Sequence, residues 1–176
     1  MLAAAAWEGA HAILCLGDLV GYGADPVACV ERVGERATAM VAGNHQHGAL
    51  GLLDLRWFNS WARAAALWTG GQLDQGHRDF LGGLPLMRSH EEATLVHASP
   101  RSPEEWDYLI SEEDGLGVFG DFATRLCFVG HSHVPGFWSV GSGGPDHVGR
   151  LDTPAAPGRL VGGPRQVINR GGGGQP

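Results

Sequence analysis

Leu126-Cys127-Phe128-Val129-Gly130-His131-Ser132-His133 reads as a short strand that stops on a polar cluster. Four apolar residues in a row, with no alternation, are the pattern of a strand buried on both faces, as in an α/β sheet. The same pattern recurs upstream. Thr94-Leu95-Val96 stops at His97, the apolar run 39–42 stops at Gly43-Asn44-His45, and the run 12–16 stops at Gly17-Asp18. In open α/β sheets, ligands bind outside the carboxyl ends of the strands. Four strand ends carrying metal-type side chains are therefore predicted to converge on one site.

The stretches between these strands read as helices and loops. Residues 2–9 suit the end of a helix. Asp25-Pro26 suits an N-cap followed by proline at the first helical position, and Val27, Val30 and Val33 follow at spacing three. Residues 50–69 carry a helical pattern, residues 74–83 a shorter one, and residues 104–109 a short helix after Ser102-Pro103. Residues 137–140 and 166–168 suit further strands. The segment 141–165 is rich in Gly and Pro and is expected to be irregular within a single domain spanning 1–176.

Composition bounds the rest. The 176 residues suit one domain. A 43% apolar share supplies a core and excludes a wholly disordered chain. Twelve basic against 19 acidic residues give a net charge of −7, so no broad basic surface is expected for nucleic acid. No apolar run reaches the ~18 residues needed to span a bilayer, and the opening stretch lacks a basic leader. Cys15, Cys29 and Cys127 are odd in number and widely spaced. They are read as three buried free thiols in a reducing, cytoplasmic compartment.

The strand-end inventory is one carboxylate (Asp18), one amide oxygen (Asn44) and three imidazoles (His97, His131, His133). Mixed oxygen and nitrogen donors suit a divalent ion such as manganese, iron or zinc better than a thiolate site. His131 and His133, two residues apart, would point to the same side of an extended segment and could serve neighbouring ions. Asp18 is the carboxylate able to bridge two ions, which would clamp a phosphoryl group and lower the pKa of a bridging water.

Gly17-Asp18-Leu19-Val20-Gly21-Tyr22-Gly23, Gly43-Asn44-His45, His97-Ala98-Ser99-Pro100-Arg101 and Gly130-His131-Ser132-His133 together resemble the motifs of the calcineurin-like metallophosphoesterases, closest to the small bacterial phosphodiesterase-like branch. The tail from Asn169 to Pro176 resembles that branch's Asn-Pro-Gly-Ser-Val-Gly-Gln-Pro segment. The resemblance implies a two-sheet α/β sandwich with two divalent ions at the strand ends, manganese first, with iron, zinc or nickel as alternatives. It implies a metal-bound hydroxide that attacks a phosphodiester. It makes Asp18 the bridging ligand and places Asn44, His97 and His131 on one ion and His133 on the other. His45 would act as an acid near the leaving-group oxygen or orient the phosphate.

The chain departs from that family's pattern. The family's first strand ends in Asp-x-His, and no Asp-x-His occurs here. The chain thus reads as a piece of the fold, incomplete at both ends. Gln46 stands where the family has an acidic residue, and Arg170, Gly172 and Gly173 replace Pro, Ser and Val in the tail. One metal position keeps Asp18, Asn44, His97 and His131. The other keeps only Asp18 and His133, so one tighter ion and one weak or empty position are expected.

Blander roles stand beside these. Arg101 could contact a substrate phosphate or be a solvated loop arginine, and Tyr22 could line the pocket or pack on its loop. His47 is read as a loop residue near the site, and His11, His77, His90 and His147 as surface or loop residues. Trp57, Trp61 and Trp68 are read as core or cap packing. Two alternatives to the enzyme remain open: a non-catalytic metal-binding or protein-interaction domain on the same fold, and an inactive fragment from a truncated gene. Oligomeric state is not legible.

Overall fold

The computed structural model describes residues 10–141, 144–150 and 163–172. The helix expected over 2–9 lies outside them. The architecture is mixed α/β, with two sheets, and the chain divides into two compact units, Met1–Leu86 and Met87–Pro176.

In the first unit, β1 (Leu14–Cys15) pairs in parallel with β2 (Ala39–Met40). The crossover between them is α1 (Pro26–Arg36), with Asp25 at its N-cap position and Pro26 in its first turn. This is a βαβ unit, and both strands end toward the same side. The expected strands are shorter than their apolar runs because only two residues of each pair. α2 (Asn44–Leu50) starts three residues after β2, behind Gly43. It ends at Gly51, whose φ of 75° suits glycine. Asp54 then caps a 3-10 turn at Leu55–Trp57. Asn59 restarts the helix by accepting from the Ala62 N–H at 2.9 Å, which opens α3 (Ser60–Gln72). The single helix expected over 50–69 is thus broken by caps. Asp74 caps α4 (Gln75–Gly82). The core of this unit is Val20, Val30, Ala49, Leu73 and Leu81, with Leu19, Val27 and Phe80 packed on it.

Trp57, Trp61 and Trp68 do not join that core. They are 86%, 81% and 47% exposed; Trp57 ends the 3-10 turn, and α3 turns Ala62, Ala66, Thr69 and Gly70 inward instead of Trp61 and Trp68. A Cβ on Gly70 would overlap the Ala49 carbonyl, so small residues let α3 lie close on α2. The thiols also differ from expectation. Cys127 is buried and Cys15 half-buried, but Cys29 is exposed on α1.

The second unit is a six-stranded mixed sheet in the order β3-β4-β5-β8-β6-β7. β4 (Ala93–Val96), β5 (Leu126–Val129) and β8 (Arg165–Asn169) run parallel at its centre. β3 (Met87–His90) pairs antiparallel on β4, and β6 (Gly136–Gly141) antiparallel on β8. β7 (Gly144–Arg150) pairs with β6, so the segment expected to be irregular over 141–165 holds a strand and the start of β8. The helix expected over 104–109 is only a 3-10 turn at Pro103–Glu105, because Ser102 and Trp106 on either side are left-handed. α5 (Glu112–Gly117) follows, opened by a reciprocal Ser111–Asp114 capping box. Val96, Phe119, Phe122, Cys127, Val129, Trp138 and Val167 form this unit's core. Trp138 donates its indole N–H to the Ser111 carbonyl at 3.0 Å.

Candidate metal and phosphate site

Within the first unit, the parallel strands β1 and β2 deliver two motifs to one edge. Asp18 follows β1 with φ 50°, a left-handed turn that few side-chain-bearing residues adopt. Its Oδ1 accepts from the His45 N–H at 3.1 Å. A Cβ on Gly43 would overlap Asp18 Oδ1 and crowd its backbone nitrogen. Glycine at 43 is what lets the carboxylate reach the start of α2. Asn44, the first residue of that helix, is buried.

Gln46 holds this turn from beneath. It is fully buried, and its Oε1 accepts from the N–H groups of Gly43 at 3.0 Å and Leu19 at 3.4 Å. Its Nε2 is buried and has no partner among the described residues. The amide therefore ties the Asp18 loop to the Asn44 helix, a role its sequence position did not reveal. The His45 ring lies between Tyr22 and Phe58, with centroids 4.8 and 5.1 Å away. His47, further along α2, is half-buried, and burial pulls its pKa below the ordinary histidine value. His77 sits 2.7 Å from Asp74 and 3.7 Å from Glu31, tying α4 to α1.

In the second unit, β4 and β5 are parallel neighbours and end side by side. His97 is buried, and its carbonyl accepts from the Gly130 N–H at 2.8 Å. His97 Nε2 and His131 Nδ1 are 3.2 Å apart. That is hydrogen-bonding distance, and both are imidazole nitrogens of the kind that could bind a divalent ion when unprotonated. Trp106 meets the His97 ring edge-on, and Tyr108 stacks on His131 at 4.3 Å and 19°.

The Gly130–His133 stretch is not extended, contrary to the reading that put both imidazoles on one side of a strand. His131 and His133 have φ of 58° and 55°, and the Ser132 N–H turns back to the Gly130 carbonyl at 2.7 Å. Asn169, fully buried at the end of β8, fastens this turn. Its Nδ2 donates to the Gly130 carbonyl at 2.8 Å and to Ser132 Oγ at 2.9 Å, while its Oδ1 accepts from Gly171 N–H at 2.9 Å. His133 is exposed, with Gly172 against its ring; a Cβ there would lie 3.1 Å away. The part of the tail beyond residue 172 lies outside the described residues.

Arg101 is turned to structural work. Its Nε donates to Asp121 at 3.0 Å, and its Nη2 donates to the Gly117 carbonyl. These contacts use two of the guanidinium's five N–H donors, and the side chain is 58% exposed. Among the described residues, no three His, Cys, Asp or Glu side chains are grouped to hold an ion. The strand ends gather Asp18 with the His45 backbone in one unit and His97 with His131 in the other.

These strand-end motifs are those of a metallophosphoesterase fold. The chain belongs to the calcineurin-like phosphoesterase family, whose pattern matches residues 2–135. It is 40% identical to the uncharacterized protein MJ0912 of Methanocaldococcus jannaschii over 133 residues, 73% of this chain and 53% of the relative. It thus spans about half the length of that relative. A metallophosphoesterase from Sphaerobacter thermophilus superposes with a TM-score of 0.72 at 36% identity, covering 97% of this chain and 70% of that one. The hypothetical protein PH1004 of Pyrococcus horikoshii OT3 shares the fold with a TM-score of 0.63 at 13% identity, over 97% of this chain and 68% of that one.

Proposed function

We propose that this protein is a metal-dependent phosphoesterase acting on a phosphodiester. The single observation that carries the reading is the pair of nitrogens on His97 and His131, set 3.2 Å apart at adjacent strand ends. In the proposal Asp18, Asn44, His97 and His131 hold one divalent ion, with manganese the first choice, and Asp18 and His133 contribute to a second, weaker position. Bound ions of this kind polarise phosphoryl oxygens and lower the pKa of water. Asp18 supplies the negative charge and Asn44 a neutral oxygen. His45, held between Tyr22 and Phe58, donates a proton toward the leaving-group oxygen or orients the phosphate. The exposed thiol of Cys29 favours a reducing, cytoplasmic setting. Among the described residues no helix is long and apolar enough to cross a membrane.

A non-catalytic metal-binding or interaction role is favoured by one observation, the lack of a three-donor group among the described residues. One assay separates the two. The full chain and its Asp18→Ala variant are compared on bis-p-nitrophenyl phosphate with added Mn²⁺. Metal-dependent turnover lost in the variant supports the enzyme. A folded wild-type chain with no turnover above free Mn²⁺ moves the non-catalytic reading forward.

A further inference from the structure

Tyr108 stands where core packing alone would not put it. The residue is 57% exposed, yet one face of its ring lies flat on the His131 imidazole, with centroids 4.3 Å apart and planes inclined by 19°. Trp106, two residues earlier, meets the His97 ring edge-on with centroids 5.9 Å apart. His97 in turn meets His131 at 5.0 Å. Four rings thus touch in sequence within the second unit, from Trp106 through His97 and His131 to Tyr108. The two aromatic residues flank the two imidazoles.

The backbone is bent to deliver them. Ser102 and Trp106 have φ of 45° and 59°, a left-handed conformation in which a bulky aromatic residue is an outlier. Such conformations persist where the surrounding structure over-determines them, and they gather at functional sites. Both ends of this segment are tied. Arg101 donates to Asp121 at 3.0 Å at the near end. At the far end Leu109 enters the core, and the Ile110 N–H donates to Asp114 at 3.2 Å. With its flanks fixed, Tyr108 has a defined place over His131.

A stacked ring restrains what the backbone leaves free. The Gly130–Ser132 turn and Asn169 set the His131 main chain, but an imidazole still turns about two side-chain bonds. Tyr108 covers one face of that imidazole, and His97 Nε2 meets its Nδ1 at 3.2 Å. We propose that Tyr108 is a positioning residue, whose ring holds the His131 imidazole beside His97 and so raises the affinity of the pair for a divalent ion. The inference rests on the reading of His97 and His131 as ion ligands.

Two readouts test it, one of them without metal. In the metal-free full chain a stacked ring shields the His131 imidazole protons, whose resonances are assigned by their loss in His131→Asn. Tyr108→Leu should move them toward the position of a free histidine. Tyr108→Phe keeps a ring and should leave them nearly in place. By calorimetry Tyr108→Leu should bind Mn²⁺ about tenfold more weakly, the low end of what losing an outer partner of a metal ligand costs. Tyr108→Phe should stay within about twofold of wild type, because the contact is made by the ring face. Both variants should keep their far-ultraviolet circular dichroism, since position 108 is exposed; Tyr108→Gln replaces the leucine variant if that one aggregates. Unmoved His131 resonances in Tyr108→Leu, wild-type Mn²⁺ affinity in that variant, or a phenylalanine variant as weak as the leucine one would overturn the inference while leaving the proposed function standing. A wild-type chain that bound no Mn²⁺ would instead sink the ion-ligand reading, and this inference with it.

Discussion

Asn169 donates its side-chain amide to the carbonyl of Gly130 at 2.8 Å, so the last strand of the sheet fixes the turn that carries His131 and His133. The same amide reaches Ser132 Oγ, and its oxygen takes the Gly171 N–H. One buried side chain thereby determines how the imidazole-bearing turn leaves β5.

Asn169→Ala should therefore act through the turn. Removing outer partners of metal ligands typically lowers affinity or activity about 10–100-fold, and a loss of that size is expected in Mn²⁺ affinity by calorimetry. Stability should fall by about 1–2 kcal/mol, because the Gly130 carbonyl keeps the Ser132 N–H but loses Asn169, and the Gly171 N–H loses its acceptor. Asn169→Asp should not rescue, since a carboxylate cannot donate to Gly130. Wild-type Mn²⁺ affinity in either variant would remove Asn169 from this role.

Gly43→Ala should be costly although its backbone is ordinary, with φ −121°. The new methyl would overlap Asp18 and press on its backbone nitrogen, which no rotamer change relieves. A destabilisation of about 1–3 kcal/mol is expected from such overpacking. Gly71→Ala, in α3 with open space around it, should instead stabilise by about 0.5–1 kcal/mol. Urea denaturation of the two variants checks the contrast; equal effects would contradict the steric account.

Gln46→Ala should loosen the Asp18 loop from the Asn44 helix. It strips the acceptor from two backbone N–H groups and empties a fully buried position. A loss of about 2–4 kcal/mol follows from orphaned donors and the cavity together. Amide hydrogen exchange at Leu19 and Gly43 should quicken more than the global change explains. Unchanged protection there would show that the loop is held by other contacts.

Burial pushes the Cys127 thiol up to about 12 from its ordinary 9.0, whereas Cys29 lies in solvent. At pH 8, a disulfide reagent should label Cys29 at once, Cys15 slowly and Cys127 only on unfolding. Between about pH 9 and 12 the unfolded chain gives up the Cys127 proton while the folded chain keeps it. Stability should then be intact below pH 9 and decline as pH rises through that window, and Cys127→Ala should flatten the decline. Fast labelling of Cys127 in the native protein would contradict its place in the core.

Sequence made the strand ends legible because their apolar runs stop on polar clusters; four strands stand where such runs predicted them, and β6 and β8 stand at the two further stretches expected to be strands. β3 escaped because Met87, Arg88 and Ser89 are exposed; it exists by pairing with β4, not by pattern. β7 escaped because Gly and Pro dominate its stretch, and only the β6 ladder defines it. The start of α5 was readable in hindsight from Ser111-x-x-Asp114, a capping box. Asp18, Asn44, His97 and His131 were nameable as candidates from the motifs. Asn169 and Gln46 were not, because a side chain that acts on backbone amides distant in sequence leaves no local spacing to recognise.

Asp18, His131 and His133 share a left-handed backbone, which costs a side-chain-bearing residue about 1–2 kcal/mol each. Glycine at any of the three would relax the chain and remove a donor group in the same stroke. Screening this protein for thermal robustness alone would therefore drift toward glycine at these positions. Its sturdiest descendants would be those that had shed the proposed ion ligands.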